Sequence, residues 1–223
     1  MMVSKRQLVN IVDSSINDLV RTFQKDPYFF YTENDLHCYL YHEIYSKLLP
    51  EGWQCRTKDR RLSILLHKEY PTKQRYSAKG LKENVPRGAR GHFDLAIWNP
   101  EKTEGRVFSA KQSASFEEEQ ETFVAIELDL IEGNNGLEQA VHHLKWDLLK
   151  LRSAENEIKH GYSLVFVRDW IHRDRFLKET RDEVTKEKAI VVLYVEKSKE
   201  KELVGSLSQK SFLNYKRLFY DFE

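Results

Sequence analysis

Three carboxylates interrupt two short apolar runs of the sequence. Asp94 lies in the first run, residues 91–98, and Glu127 and Asp129 lie in the second, residues 123–130. Both runs predict buried strands. Because side chains alternate along a strand, Glu127 and Asp129 are expected to share one face. A buried carboxylate is costly unless a cation or hydrogen-bond donors compensate it. Acids of this kind on two neighbouring strands would form a site for a hard divalent cation such as Mg²⁺.

The apolar residues around these acids predict which face of each strand packs in the core. In the second run, the face opposite the two acids is expected to carry Val124, Ile126, Leu128 and Leu130. In the first run, the core face is expected to carry Phe93, Leu95 and Ile97. Both strands are hydrophobic enough to lie in the middle of a sheet.

Such a site supports hydrolysis of a phosphodiester bond. A Mg²⁺ ion, or Mn²⁺ in its place, can activate a water and neutralise the charge on the leaving oxygen. Because Mg²⁺ keeps several waters, Asp94 and Glu127 would suffice as ligands, with the Leu128 carbonyl as a further one. Asp129 or Glu33 would act through water. A lysine would position the attacking water and stabilise the transition state.

The surrounding sequence predicts the elements that position these residues. Apolar residues at helical spacing predict helices over residues 4–23, 33–48, 135–154 and 173–186. Besides the two acidic runs, strands are predicted over residues 61–67, 106–110, 162–167 and 189–195. Residues 70–90 are polar, rich in cations and interrupted by proline and glycine, which predicts a long loop.

Composition indicates one globular domain, residues 1–223. The chain is 40% hydrophobic and 32% charged, with a formal net charge of +1. This balance excludes a global polybasic signal but leaves room for a local basic groove. Cys38 and Cys55 have neither metal-ligand spacing nor a disulfide framework, and no apolar run is long enough to span a membrane. Because the N-terminus also lacks a signal peptide, we expect a cytoplasmic protein.

Without the short run over residues 106–110, the order of predicted elements from Glu33 onward is helix, three strands, helix and strand. With Asp94 on the second strand and Glu127 on the third, this order resembles the PD-(D/E)xK nuclease superfamily, which has the restriction-endonuclease-like fold. The resemblance covers residues 33–167. It implies an α/β (mixed α+β) fold with a central mixed sheet flanked by helices. The αβββαβ core would occupy residues 32–168, between an N-terminal helical extension (1–31) and a C-terminal extension (169–223).

The sequence departs from the family at one position, because Asp129 stands where the Glu-x-Lys motif has its lysine. Some members of the family carry this lysine on the helix after the third strand, which here offers Lys145 and Lys150. Glu127 is expected about 10 Å before the end of its strand. The helix that follows runs back along the strand and covers this distance in about seven residues, which favours Lys145 over Lys150 as the neighbour of Glu127. If no lysine has moved, Asp129 is a third metal ligand or the site is inactive.

Further residues would support this site. Gln139 resembles a glutamine that exonuclease-like branches of the family place on the same helix, and Glu33 resembles an acid on the first core helix. The cation-rich segment before Asp94 offers phosphate contacts through Lys79, Arg87 and Arg90.

The leading hypothesis is a nuclease that uses Mg²⁺ or Mn²⁺ to hydrolyse DNA or, with less support, RNA. The alternative is a catalytically inactive, nuclease-like module that binds nucleic acid or protein. A purely structural role for the acids is also open, with Arg90 or a buried lysine as their partner. The expected partner is nucleic acid, with a homodimer left open and no membrane association.

Overall fold

The structure is a computed structural model that describes residues 3–52, 54–56, 62–77, 82–83, 89–102, 121–133, 135–186 and 190–196. The described helices are α1 (Lys5–Lys25), α2 (Glu33–Leu48), α3 (Leu137–Arg152) and α4 (Arg173–Lys186). The described strands are β1 (Gln54–Arg56), β2 (Leu62–Ile64), β3 (Leu66–Ser77), β4 (Lys82–Glu83), β5 (Ala89–Trp98), β6 (Thr122–Glu132), β7 (His160–Arg168) and β8 (Ile190–Val195).

Six strands form one mixed sheet in the order β4-β3-β5-β6-β7-β8, and β1 pairs with β2 separately. β3, β5 and β6 are antiparallel neighbours, whereas β6, β7 and β8 run parallel. Parallel neighbours need a crossover connection, and α3 provides it between β6 and β7. The predicted α/β fold, a mixed sheet flanked by helices, is confirmed.

Two apolar cores cover the two faces of the sheet. The first joins the sheet to α1 and α2, and the second joins it to α3 and α4. On β6, Val124, Ile126 and Leu128 pack in the first core, whereas the odd-numbered Ala125 and Ile131 pack in the second. The predicted alternation along this strand is therefore confirmed. It places the odd-numbered acids on the face that α3 covers.

A capping box fixes the start of α2. The Thr32 hydroxyl accepts a hydrogen bond from the Asp35 N–H, and an Asp35 carboxylate oxygen accepts one from the Thr32 N–H at 2.7 Å. The shorter aspartate thus fills the place usually taken by glutamate or glutamine. Glu33 follows in the first turn and accepts a hydrogen bond from the Leu130 N–H at 3.3 Å, which joins the start of α2 to β6.

The predicted loop over residues 70–90 is wrong over much of its described part. β3 continues to Ser77, and β5 already begins at Ala89. The two strands pair on both sides of a register shift between Pro71 and Arg75, so the irregularity accommodates the proline without ending the strand. The predicted strand over residues 106–110 lies outside the described residues.

No helix in the described part of the chain combines the length and apolar character needed to cross a bilayer. Both cysteines are free: Cys38 is exposed and Cys55 is buried.

Candidate functional site

The two principal acids flank the point where β5 and β6 separate. The ladder between these strands ends at the pair Leu95 and Ile126, so Asp94 and Glu127 are the next positions on either side of a fork. Beyond the ladder, the Leu128 N–H donates instead to Asp94 Oδ2 at 2.7 Å, which satisfies a backbone group that the sheet no longer pairs. The expectation that the two acids lie on neighbouring strands is confirmed.

β5 changes face at Asp94. Phe93 packs in the core of α3 and α4, whereas Leu95 and Ile97 pack in the core of α1 and α2. The expectation that these three residues share one face is therefore wrong. Opposite Asp94 on β3, Glu69 has a φ of 52°, a left-handed conformation that is uncommon for residues other than glycine. Both strands are thus irregular at the same level.

Asp94 faces α2 across a cluster that sequence reasoning missed. His37 Nε2 lies 3.6 Å from Asp94 Oδ2 and 3.9 Å from Glu33 Oε1. One ligand atom each from His37, Glu69 and Asp94 lie within 4.8 Å of one another. Burial lowers the pKa of His37 despite the nearby Glu33 carboxylate. The four-residue spacing of Glu33 and His37, which puts them on one helix face, was the available signal.

Glu127 faces α3 and pairs with Lys150. Lys150 Nζ lies 2.7 Å from Glu127 Oε1 and 3.0 Å from Asp147 Oδ1, and it donates to the His92 carbonyl at 3.1 Å. The Lys150 and Glu127 side chains are only 7% and 2% exposed. Burial lowers the pKa of Lys150, but the Glu127 and Asp147 carboxylates outweigh burial and raise it. Lys150 is therefore an ammonium ion at neutral pH, unable to act as a general base.

The expectation that Lys145 lies nearer to Glu127 than Lys150 is wrong. β6 runs to Glu132, so Glu127 lies five residues, or about 17 Å, from the strand's end. At about 1.5 Å per residue that distance takes about eleven residues of α3, which begins at Leu137, so the level of Glu127 falls near Leu148, closer to Lys150 than to Lys145. The sequence prediction ended the strand two residues too early and began the helix two residues too early. Lys145 is partly buried elsewhere on α3.

Gly91 lets the Lys150 side chain reach its partners. A Cβ at Gly91 would stand 3.2 Å from Lys150 Cδ and 3.5 Å from Thr72 Oγ1, closer to the lysine stem than most side-chain contacts. At the end of α3, the Asn156 amide donates to the Lys150 carbonyl at 2.7 Å. Both the backbone and the stem of Lys150 are thus held in place.

Asp129 lies on the same face of β6 as Glu127, beside His143 and Asp147 of α3. His143 Nδ1 is 3.7 Å from Asp129 Oδ1. Burial, reinforced by the Asp147 carboxylate, raises the pKa of Asp129 to about 8. The neighbouring Asp129 carboxylate raises the pKa of His143. Gln139 is exposed and lies one turn before His143. Gln139, His143 and Asp147 are spaced four residues apart, so they lie on the same face of α3.

The fork has more negative than positive charge. The carboxylates around it belong to Glu33, Glu69, Asp94, Glu127, Asp129 and Asp147. In the described residues, Lys150 is the buried ammonium ion among them. Burial, with the Asp147 carboxylate nearby, raises the pKa of Asp94 to about 6, and burial also raises the pKa of Glu127. Carboxylate oxygens are the ligands that Mg²⁺ and Mn²⁺ prefer. Among the residues that the structure describes, the ligand atoms that lie together within 4.8 Å are those of His37, Glu69 and Asp94, a group without Glu127 or Asp129.

We expect Asp94 and Asp129 to lower the stability of the metal-free protein as the pH rises from about 4 to about 8. The folded-state pKa values of Asp94, about 6, and Asp129, about 8, exceed their ordinary value of 3.8. The native state therefore keeps protons that the unfolded state releases, so stability falls as the pH rises through this window. At about 1.4 kcal/mol per pKa unit, the two shifts together correspond to about 9 kcal/mol at most, most of it from Asp129. Urea unfolding in EDTA across the window measures it.

One variant isolates the contribution of Asp129 to this pH dependence, and a second variant serves as its control. Asp129→Asn should flatten the upper part of the window, between about pH 6 and about pH 8. Asp174→Asn, at an exposed position of α4, should leave the whole profile unchanged. A stability that rises steadily from about pH 4 to about pH 8 would contradict the raised pKa values.

The proposed phosphate contacts are placed only in part. Arg90 lies in β5, next to Gly91 and paired with Arg75 of β3. Lys79 and Arg87 lie outside the described residues. Comparison with family models, curated proteins and solved structures finds no match for the chain. The function of the site therefore has to be inferred from its own geometry.

Proposed function

We propose that the chain is a metal-dependent nuclease that hydrolyses phosphodiester bonds in DNA, with RNA as the less favoured substrate. The observation that carries the proposal is the Lys150 ammonium ion, 2.7 Å from Glu127 at the fork that also holds Asp94. Two acids and a lysine are the groups of the PD-(D/E)xK motif. Here the lysine would come from α3, because position 129 is an aspartate. The antiparallel strands β3, β5 and β6, followed by α3 and the parallel β7, support the same resemblance, although β1, β2 and β4 also stand between α2 and α3.

The chemistry divides among these residues. Asp94, Glu127 and the Leu128 carbonyl would hold Mg²⁺ or Mn²⁺, which when bound activates water and neutralises the leaving oxygen. Lys150 stays charged, so it would orient the attacking water and stabilise negative charge on the phosphoryl oxygens. Asp129 and Glu33 would act on the same site through water.

One observation favours the alternative, a nuclease-like module without catalysis. Lys150 is already neutralised by Glu127 and Asp147 in a buried network. This is the buried lysine partner that a purely structural role for the acids requires. Because such networks can serve stability or specificity alone, the pairing fits either function. Only cleavage separates the two.

The purified chain should cleave DNA when Mg²⁺ or Mn²⁺ is added. Cleavage should stop in excess EDTA and return when the metal is restored, because the carboxylates need the ion to activate water. Gel assays on single-stranded DNA, duplex DNA and RNA test this, with a mock purification as the control for contaminating nuclease. If no DNA or RNA is cleaved with either ion, the non-catalytic module becomes the better assignment.

Two further assignments belong to the same proposal. The partner would be DNA, contacted through Arg90 and through Lys79 and Arg87 in the segment before β5. The location would be cytoplasmic, since the exposed thiol of Cys38 is free, as is usual in a reducing compartment.

A further inference from the structure

His37 is buried without a hydrogen bond to its Nε2 atom. The residue is 4% exposed, and Nε2 has no hydrogen-bond partner in the part of the chain that the structure describes. The carboxylate oxygens of Asp94 and Glu33 lie 3.6 and 3.9 Å away, beyond hydrogen-bonding distance. Because an unsatisfied buried polar atom costs about 1–3 kcal/mol, this nitrogen calls for a ligand.

The surroundings of Nε2 have the dimensions of a metal site. One ligand atom each from His37, Glu69 and Asp94 lie within 4.8 Å of one another. Ligands at about 2.0–2.2 Å from one ion lie at most about 4.4 Å apart, so small side-chain shifts would close the site. Glu69 is exposed and Asp94 is partly exposed, which gives an ion a path from solvent.

We propose that His37, Glu69 and Asp94 bind one divalent transition-metal ion on the α2 side of the fork. The imidazole ligand distinguishes this site from the proposed Asp94 and Glu127 site, with which it shares Asp94, because imidazole suits transition metals whereas Mg²⁺ prefers oxygen ligands. Lys68, the neighbouring cation, is engaged by the Asn34 side chain. The inference deepens the proposed function through the shared Asp94, but metal binding at this site does not require cleavage.

Titration of the full chain with Mn²⁺, followed by the electron paramagnetic resonance signal of the free ion, tests the site directly. His37→Gln and Glu69→Gln should each weaken Mn²⁺ binding about tenfold or more, because each removes a ligand. Mg²⁺, added as a competitor, should displace Mn²⁺ poorly from the wild type and more readily from His37→Gln. The matched control is His42→Gln, the same change at an exposed position of α2, which should bind Mn²⁺ like the wild type.

The outcomes separate this site from the nuclease proposal. If the wild type binds Mn²⁺ through His37 and Glu69 yet cleaves nothing, the metal site stands and the nuclease fails. If His37→Gln binds Mn²⁺ like the wild type whereas Glu127→Gln does not, the ion belongs to the carboxylate pair alone and the inference is overturned. Should His37→Gln unfold, an unchanged Mn²⁺ affinity in Glu69→Gln, at an exposed position, overturns it equally. Failure of the wild type to bind Mn²⁺ does so as well.

Discussion

Lys150→Met is expected to abolish cleavage and to destabilise the fold at the same time. Removing one partner of a buried ion pair costs about 3–5 kcal/mol, and here it strands the Glu127 carboxylate. Cleavage should fall by about 100-fold or more, since the proposal assigns to this ammonium ion the stabilisation of negative charge on the phosphoryl oxygens. Urea unfolding and single-turnover cleavage with Mg²⁺ measure the two effects on one preparation.

Two comparisons separate catalysis from stability. Lys145→Met, on the same helix, should change the unfolding free energy by less than about 0.5 kcal/mol and leave cleavage intact. In Lys150→Met with Glu127→Met, the Glu127 carboxylate is no longer stranded although Asp147 still loses its partner, so part of the stability should return while cleavage stays lost. Cleavage that is lost in Lys145→Met and kept in Lys150→Met would reverse the assignment.

The double change Asp94→Asn with Glu127→Gln is expected to remove both cleavage and the stabilising response to metal. In the wild type, an ion at about 100 times its dissociation constant adds about 2.7 kcal/mol to the unfolding free energy, because it binds the folded state only. For a chain of this size that is a rise of about 5–10 °C in the melting temperature. The neutral amides keep the shapes of the side chains but lose the charge that holds the ion. Thermal unfolding with and without Mg²⁺ measures the loss.

The stability of the metal-free variant supplies a second readout. Burial and the Asp147 carboxylate raise the pKa of Asp94, so neutralising Asp94 should by itself stabilise the metal-free protein at neutral pH. The matched control is Glu138→Gln with Asp174→Asn, the same two chemical changes at exposed acids, which should keep the full response to metal. An undiminished response in the Asp94 and Glu127 variant would place the ion elsewhere.

The sequence alone determined the helices and the faces of the most regular strand. Period-two alternation on β6 placed Glu127 and Asp129 on the face opposite Val124, Ile126 and Leu128, and the structure agrees. Apolar stripes and caps predicted the helices, and their order predicted three strands, a crossover helix and a fourth strand. These features are local, because they depend on side-chain direction within one helix or strand. A sequence pattern can therefore reveal them without knowledge of the neighbours.

The partners of the acids were decided only by the tertiary structure. Which lysine meets Glu127 depends on where β6 ends and α3 begins, and small errors in these bounds moved the prediction from Lys150 to Lys145. The orientation of Asp94 depends on an irregularity shared by β3 and β5, which arises from strand pairing and has no signal within β5 itself. His37 and Glu69 reach Asp94 from two other elements. Contacts between elements follow from their packing, which no local spacing in the chain encodes.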